Sequence, residues 1–198
     1  MISIDLNTAM VAYGYVSRIS QIYSPFFNDR PNQIKPTLLV IHNISLPPQQ
    51  YGGPYVEQLF IGCLDPKAHP YFSTIYQLQV SSHFFIRRSG EVIQFVSCDK
   101  RAWHAGKSSF KQQENCNDFS IGIELEGCDD EPFTDLQYQQ LVGLTQLLYK
   151  HYPLTDIAGH SDIAPGRKTD PGPYFDWQRY FLLLKQARND EQSTAAAT

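Results

Sequence analysis

Two histidines and one aspartate in this sequence could together hold a catalytic metal ion. His42 and His160 each end an apolar, strand-like segment, and Asp170 follows His160 by ten residues. Two imidazoles and one carboxylate supply the three protein ligands of a catalytic zinc and leave a fourth position for water. Pro171 restricts the preceding Asp170 to extended backbone, which helps to fix the direction of its carboxylate. The spacing alone is a weak signal, because a histidine at a strand end more often has a structural role.

Six segments of sequence strengthen this interpretation, because their order and content match one enzyme family. They read VIHNISLPP (40–48), AHPYF (68–72), DKRAWHAG (99–106), NDFSIGIELEG (117–127), GHSDIAP (159–165) and KTDPGP (168–173). In these segments the chain resembles the AmpD-type 1,6-anhydro-N-acetylmuramyl-L-alanine amidases, within the wider superfamily of peptidoglycan amidases and recognition proteins. The resemblance extends over residues 37–180, and matches of this length are specific.

The resemblance implies roles for nine residues. They are His42, His160 and Asp170 as ligands of one zinc ion, Glu124 and Lys168 as catalytic residues, and Asn43, Tyr71, Trp103 and His104 as substrate-binding residues. In such a site the glutamate takes a proton from the attacking water and passes it to the leaving L-alanine nitrogen. The lysine stabilises the oxyanion of the tetrahedral intermediate.

Each of these roles has a simpler alternative. Glu124 and Glu126 share one face of a predicted strand, so strand parity cannot choose between them, and the resemblance selects Glu124. Without the resemblance, both would be interpreted as solvated charges and Lys168 as an exposed loop lysine. His104 is a candidate for a fourth metal ligand, but we favour a position in the cleft wall or behind the ligands.

The elements that must position these residues indicate an α/β fold, a single domain in which helices flank a central mixed sheet. Strands are predicted at 37–42, 83–88, 91–96, 120–126 and 157–160, with Ser89-Gly90 as a two-residue hairpin turn and one wetter face on 120–126. Helices are predicted at 55–61, 134–152, capped by Thr134, and 176–188. Residues 1–35 form an irregular arm, residues 36–190 the zinc amidase domain, and residues 191–198 a flexible tail.

Composition excludes several other classes of protein. The 198 residues carry a net charge of −4 and no dense lysine or arginine run, which argues against a nucleic-acid partner. No apolar stretch is long enough to span a membrane. Met1 to Ser20 lacks the pattern of a signal peptide, so we expect a cytoplasmic protein. The four cysteines are then expected to be reduced packing residues.

The expected function is therefore zinc-dependent hydrolysis of the bond between (1,6-anhydro-)N-acetylmuramic acid and L-alanine in muropeptides, in cytoplasmic peptidoglycan recycling, by a monomer. The alternatives are a recognition module that binds peptidoglycan fragments without cutting them, and an exported amidase that acts on intact cell wall. One departure from the family concerns the stem peptide. Gln79 and Asn115 stand where some members carry arginines, so we expect altered peptide recognition, with Arg87, Arg88, Lys111 or Arg167 as candidates to compensate.

Overall fold

The computed structural model describes residues 6–196, and within them twelve strands and four α-helices follow one another along the chain. The strands are β1 (Val11–Ala12), β2 (Tyr15–Val16), β3 (Ser20–Gln21), β4 (Phe27–Asp29), β5 (Leu38–Ile44), β6 (Phe84–Ile86), β7 (Val92–Gln94), β8 (Lys100–Ala102), β9 (Ser109–Phe110), β10 (Gln113–Glu114), β11 (Ser120–Glu126) and β12 (Asp156–Gly159). The helices are α1 (Tyr55–Phe60), α2 (Asp135–His151), α3 (His160–Ile163) and α4 (Trp177–Ala196).

Six of these strands form one mixed sheet in the order β12-β5-β11-β6-β7-β3. The pairs β12–β5, β5–β11, β11–β6 and β7–β3 are parallel, and β6–β7 is antiparallel. The central strands β5 and β11 are covered on both faces, which explains their dense apolar sequence. The expected single α/β domain with a mixed sheet and flanking helices is confirmed.

Alternate residues of the strands supply the cores on opposite faces of the sheet. Phe84 and Ile86 of β6 pack with residues of α2 and α4, whereas Phe85 packs with residues of α1. In α2 the apolar residues step by three or four positions, so they form one stripe that faces the sheet and α4. The sheet is thereby held between two helical layers, which makes its strand ends a rigid support for side chains.

A capping box begins α2 at the predicted position. The Thr134 hydroxyl accepts a hydrogen bond from the Gln137 backbone N–H (3.2 Å), and the Gln137 side chain accepts one from the Thr134 N–H (3.0 Å). The Gln137 amide also donates to the carbonyl oxygens of Ile86 and Glu126. One side chain therefore ties the start of the helix to the ends of β6 and β11.

The structure differs from the predictions at both ends of the chain and at one turn. The segment predicted to be an irregular arm contains β1 to β4, and β3 extends the central sheet by pairing with β7. At the other end, α4 continues to Ala196 and so includes most of the predicted tail. The hairpin turn is centred on Arg88 and Ser89, with Gly90 at φ 83°, because a type I turn followed by a left-handed glycine also closes a hairpin. Met1 to Asp5 and the last two residues of the predicted tail lie outside the described residues.

The structure also bears on the predictions about the cysteines and about membrane-spanning segments. All four thiols are unpaired, as expected. Cys98 and Cys116 are buried, but the expectation that all four pack in the interior is wrong for Cys63, which is exposed. Of the helices within residues 6–196, none is long and apolar enough to cross a membrane.

Candidate metal centre and cleft

The carboxyl ends of three neighbouring parallel strands meet at the candidate site. His42 on β5 is the register partner of Glu124 on β11, and Gly159 at the end of β12 pairs with Ile41. His160 follows Gly159 directly and begins α3, so it lies beside His42. Side chains from three separate parts of the sequence are brought together in this way, as is general for sites at the carboxyl edge of α/β sheets.

The two histidines and Asp170 form a tight triangle. His42 Nδ1 lies 2.9 Å from His160 Nδ1 and 3.1 Å from Asp170 Oδ2, and the third side of the triangle is 3.0 Å. Two ligands about 2.0 Å from one tetrahedral zinc ion are about 3.3 Å apart, so the triangle is close to the size that a zinc ion needs. These residues are also the one group of metal-binding side chains of this kind within the described part of the chain.

The hydrogen bonds of His160 support a cation in this position. Its Nε2 lies 3.1 Å from the carbonyl oxygen of Ala105, which can only accept a hydrogen bond. The ring proton is therefore on Nε2, and Nδ1 presents a lone pair to the carboxylate of Asp170. Two acceptors that face each other at 3.0 Å repel unless a cation lies between them, so the residues fit a metal ion.

Burial and the close contacts shift the pKa values of His42 and Asp170. Burial lowers the pKa of His42 to about 4, so at neutral pH this ring is an uncharged ligand. Burial by itself would raise the pKa of Asp170, but its close contacts with His160 and His42 outweigh it and hold that pKa well below its usual range. The triangle therefore presents an uncharged His42 imidazole and an ionised Asp170 carboxylate at neutral pH.

The two glutamates of β11 have different surroundings although they share one face of the strand. Glu124 Oε1 lies 3.9 Å from His42 Nδ1, and its buried Oε2 has no hydrogen-bond partner among the described residues. Burial, and then the charge of Asp170, raise the pKa of Glu124 well above its usual range. Glu126 instead accepts hydrogen bonds from the backbone N–H groups of Gly52 (2.6 Å) and Arg88 (2.9 Å). Glu126 is thus committed to the backbone, and Glu124 is the glutamate directed at the metal centre. The prediction that this face of the strand is exposed to water is wrong for the two glutamates, because both carboxylates are buried.

A cleft of about 650 Å³ opens over the triangle, a volume typical of ligand sites. All of the predicted catalytic and substrate-binding residues line it: Asn43, Tyr71, Trp103, His104, Glu124 and Lys168. The Trp103 indole is held against Phe26 and donates to Asn28 Oδ1 (2.7 Å), so this ring is a fixed part of the cleft wall. Lys168 is exposed on the loop between α3 and Asp170.

The Asn43 side chain forms hydrogen bonds within the protein as well as lining the cleft. Its amide group donates to Asp129 Oδ1 (2.8 Å) and to the carbonyl oxygen of Pro171 (3.0 Å). Both amide hydrogens are thereby used to hold the loop that carries Asp170. The amide oxygen of Asn43 remains as the atom that can accept a hydrogen bond from a ligand in the cleft.

Among the four cations suggested to replace the absent arginines, only Arg167 lines the cleft. Arg87 pairs with Glu57 and Lys111 pairs with Asp156, and neither Arg87 nor Lys111 is among the residues that line the cleft. Arg88 stacks on Tyr51 in a separate depression. Of the four candidates, Arg167 is therefore the one that the geometry favours for direct contact with a ligand in this cleft.

Three residues that contact the site residues were missed from the sequence. Ser120 contacts His104, Asn117 holds the backbone beside it, and Asp129 holds Asn43. Two of them lie within the quoted segment 117–127, and membership of that segment was their only signal. Their contacts depend on which backbone groups the fold brings near, and sequence does not give this.

Comparison with known proteins identifies the family of this chain. Residues 32–173 match the family model described as N-acetylmuramoyl-L-alanine amidase (Amidase_2). The chain belongs to this amidase family. It is 54% identical over 180 residues to the 1,6-anhydro-N-acetylmuramyl-L-alanine amidase AmpD of Enterobacter cloacae, a match that covers 90% of this chain and 96% of that protein.

Two solved structures extend the comparison of this amidase. The crystal structure of an AmpD selenomethionine derivative superimposes with a TM-score of 0.87 at 52% identity, covering 88% of this chain and 99% of that one. The Escherichia coli amidase AmiD, in complex with the substrate anhydro-N-acetylmuramic acid-L-Ala-D-γ-Glu-L-Lys, gives a TM-score of 0.55 at 28% identity, with 89% of this chain and 65% of that chain covered. The resemblance inferred from the sequence segments is confirmed.

Proposed function

We propose that this protein is a zinc-dependent amidase that cleaves the bond between (1,6-anhydro-)N-acetylmuramic acid and L-alanine in muropeptides. The observation that carries this proposal is the convergence of His42, His160 and Asp170 with the unpartnered carboxylate oxygen of Glu124, all at one cleft. The names of the relatives support the choice of bond, since they are 1,6-anhydro-N-acetylmuramyl-L-alanine amidases.

His42, His160 and Asp170 would hold the metal. A zinc ion there supplies a Lewis acid that polarises an amide carbonyl and makes water acidic enough to react at neutral pH. The choice of zinc rests on the donor set, because two imidazoles, one carboxylate and an open fourth position are typical of catalytic zinc.

Glu124 would transfer protons, and Lys168 would stabilise the negative charge that develops on the substrate. The free Oε2 of Glu124 is available to take the proton of the attacking water and to hand it to the departing nitrogen of L-alanine. Lys168 lines the same cleft on the loop that carries Asp170, so its ammonium group can approach the oxygen that becomes negative when the carbonyl is attacked.

The substrate would lie along the wall that contains Trp103 and Tyr71. The fixed indole of Trp103 offers an apolar face for the sugar ring, and the half-exposed Tyr71 lies on the neighbouring 3₁₀-helix, Pro70–Thr74. Arg167 is the cleft cation that can meet a carboxylate of the stem peptide, in place of the arginines absent at Gln79 and Asn115. A soluble muropeptide in cytoplasmic recycling, acted on by a monomer, is the setting we propose.

The test is to incubate the purified protein with anhydro-N-acetylmuramyl-tripeptide and to identify the products by mass spectrometry. Release of the free tripeptide, abolished by a chelator and restored by zinc, is the expected result. Intact substrate in the presence of zinc-loaded protein that still binds it would instead indicate a recognition module. Cleavage of polymeric cell wall at a comparable rate would favour the exported type of amidase.

A further inference from the structure

Behind the metal triangle lies a chain of hydrogen bonds that leads away from His42. His42 Nε2 lies 2.9 Å from His104 Nδ1, and His104 Nε2 lies 3.2 Å from the hydroxyl of Ser120. Ser120 in turn donates to the carbonyl oxygen of Cys116 at 2.6 Å. Ser120, His104 and His42 are all buried.

The direction of each proton in this chain follows from its last member. A carbonyl oxygen only accepts, so the single hydroxyl hydrogen of Ser120 goes to Cys116. Ser120 Oγ must then accept from His104, which places the proton of His104 on Nε2. His104 Nδ1 is left with a lone pair that accepts the Nε2–H of His42. The Nδ1 lone pair of His42 therefore points into the metal triangle.

The fold makes room for this arrangement and fixes it. Gly122 lies in the middle of β11, and a Cβ atom there would come within 2.5 Å of His104 Cγ, so only glycine permits the imidazole to lie flat against the strand. The Asn117 side-chain oxygen accepts hydrogen bonds from the backbone N–H groups of His104 (3.1 Å) and Ala105 (2.8 Å). Asn117 thus holds the two consecutive residues that contact His42 and His160.

We propose that His104, oriented by Ser120, is a positioning residue that keeps His42 in the tautomer and direction required for metal binding. This inference rests on the proposed zinc function. It assigns His104 neither as a fourth ligand nor as a hydrogen-bonding contact to substrate, because both of its ring nitrogens are already engaged. Partners of this kind behind a metal ligand typically change metal affinity by about 10–100-fold when they are replaced.

Two substitutions of similar size separate the hydrogen bond from simple filling of space. His104→Asn retains an acceptor near the position of Nδ1, whereas His104→Leu has none. Zinc affinity of the full-length protein, measured by competition with a chromophoric chelator, is expected to fall about 10–100-fold in His104→Leu and to recover largely in His104→Asn. Ser120→Ala is also expected to weaken zinc binding. The matched control is Ser82→Ala, which removes another buried hydroxyl, one without a hydrogen-bond partner in the described structure, and should leave zinc affinity unchanged.

The ring nitrogens provide a second readout that does not depend on catalysis. Nitrogen-15 chemical shifts of the imidazoles in the zinc-loaded protein are expected to show His42 protonated at Nε2 and His104 protonated at Nε2. Protonation of His104 at Nδ1, or equal zinc affinity in wild type and both His104 variants, would overturn the proposal. Equal losses in the Asn and Leu variants would also overturn it, since shape would then matter rather than the acceptor. A protein that binds zinc as described but leaves muropeptides intact would refute the proposed function and leave this inference standing.

Discussion

Replacing each of the two glutamates of β11 by glutamine should change activity and stability in opposite patterns. Glu124 and Glu126 lie two residues apart on the same face of one strand, so the pair is matched in position, burial and chemistry. Glu124→Gln removes a buried charge whose Oε2 has no hydrogen-bond partner in the described chain. Glu126→Gln removes a carboxylate that accepts from two backbone N–H groups.

The magnitudes follow from these contacts. Loss of a general base typically costs about 10²–10⁴-fold in rate, so Glu124→Gln should lower kcat by that factor. Burial and the nearby charge of Asp170 disfavour a negative charge at this position, and glutamine carries none, so the metal-free Glu124→Gln protein should be at least as stable as wild type. Hydrogen bonds to a charged group are worth about 1.5–3 kcal/mol, and Glu126→Gln should therefore be destabilised by about 2 kcal/mol while it keeps most of its activity.

The assay combines two measurements on the same preparations. Urea unfolding of the metal-free proteins gives the free energy of unfolding, and the initial rate of tripeptide release by the zinc-loaded proteins gives kcat. Zinc content is determined for each variant, so that a loss of metal is not mistaken for a loss of the base. If Glu126→Gln lost activity as severely as Glu124→Gln, or if Glu124→Gln were the less stable of the two, the assignment of roles on β11 would be wrong.

Three further predictions concern single residues away from this pair. Lys168→Met should lower kcat by about 10²–10³-fold with the urea midpoint unchanged, because the role proposed for this exposed lysine is to stabilise the oxyanion; an unchanged kcat would remove it from the mechanism. Thr134→Ala should lower the free energy of unfolding by about 1 kcal/mol through loss of the α2 cap, whereas Thr134→Ser should retain it; equal losses in the two variants would contradict the capping argument. Burial, and then the charge of Arg30, lower the pKa of His83 to about 3, so the folded protein excludes a proton that the unfolded chain binds below about pH 6.5. The stability due to neutral His83 is thus complete above about pH 6.5 and is lost as the pH falls towards 3. Between about pH 6 and 4, the free energy of unfolding of His83→Gln should therefore decline with falling pH less steeply than that of wild type, by up to about 1.4 kcal/mol per pH unit. Parallel curves for the two proteins would refute this.

The sequence predicted those elements whose signal is local. An apolar run that ends at His42 predicts β5, which continues two residues further to Ile44, and α2 combines a three-to-four periodicity with a capping threonine, so both predictions lie close to the true bounds. The strands β1 to β4 have two or three residues each, too few to show any periodicity. β1 and β2 pair with each other, and β3 and β4 are defined by distant partners, β7 and β8. The turn at Arg88 and Ser89 was misplaced by one residue, because glycine serves both kinds of hairpin turn.

The site shows the same division between local and long-range information. Residue type and family segments selected the metal triangle and Glu124, but strand parity alone could not separate Glu124 from Glu126. The backbone N–H groups of Gly52 and Arg88 make that distinction in space, and neither is near Glu126 in sequence. The sequence likewise leaves the role of His104, the hydrogen-bond partner of His42, undecided.

The metal triangle brings together, at the end of a buried sheet, groups that repel one another unless a cation lies between them. His42, His160 and Asp170 meet as three groups of acceptor character within about 3 Å of one another, an arrangement that is unfavourable in a low-dielectric interior without a cation. The surrounding layer does not relieve this, since the Ala105 carbonyl and His104 both direct the ligand lone pairs inwards. Folding therefore prepares a site whose own groups repel one another, and the proposed metal ion would supply the missing attraction. Under that proposal metal affinity and fold stability are coupled, and substitutions behind the ligands should change both.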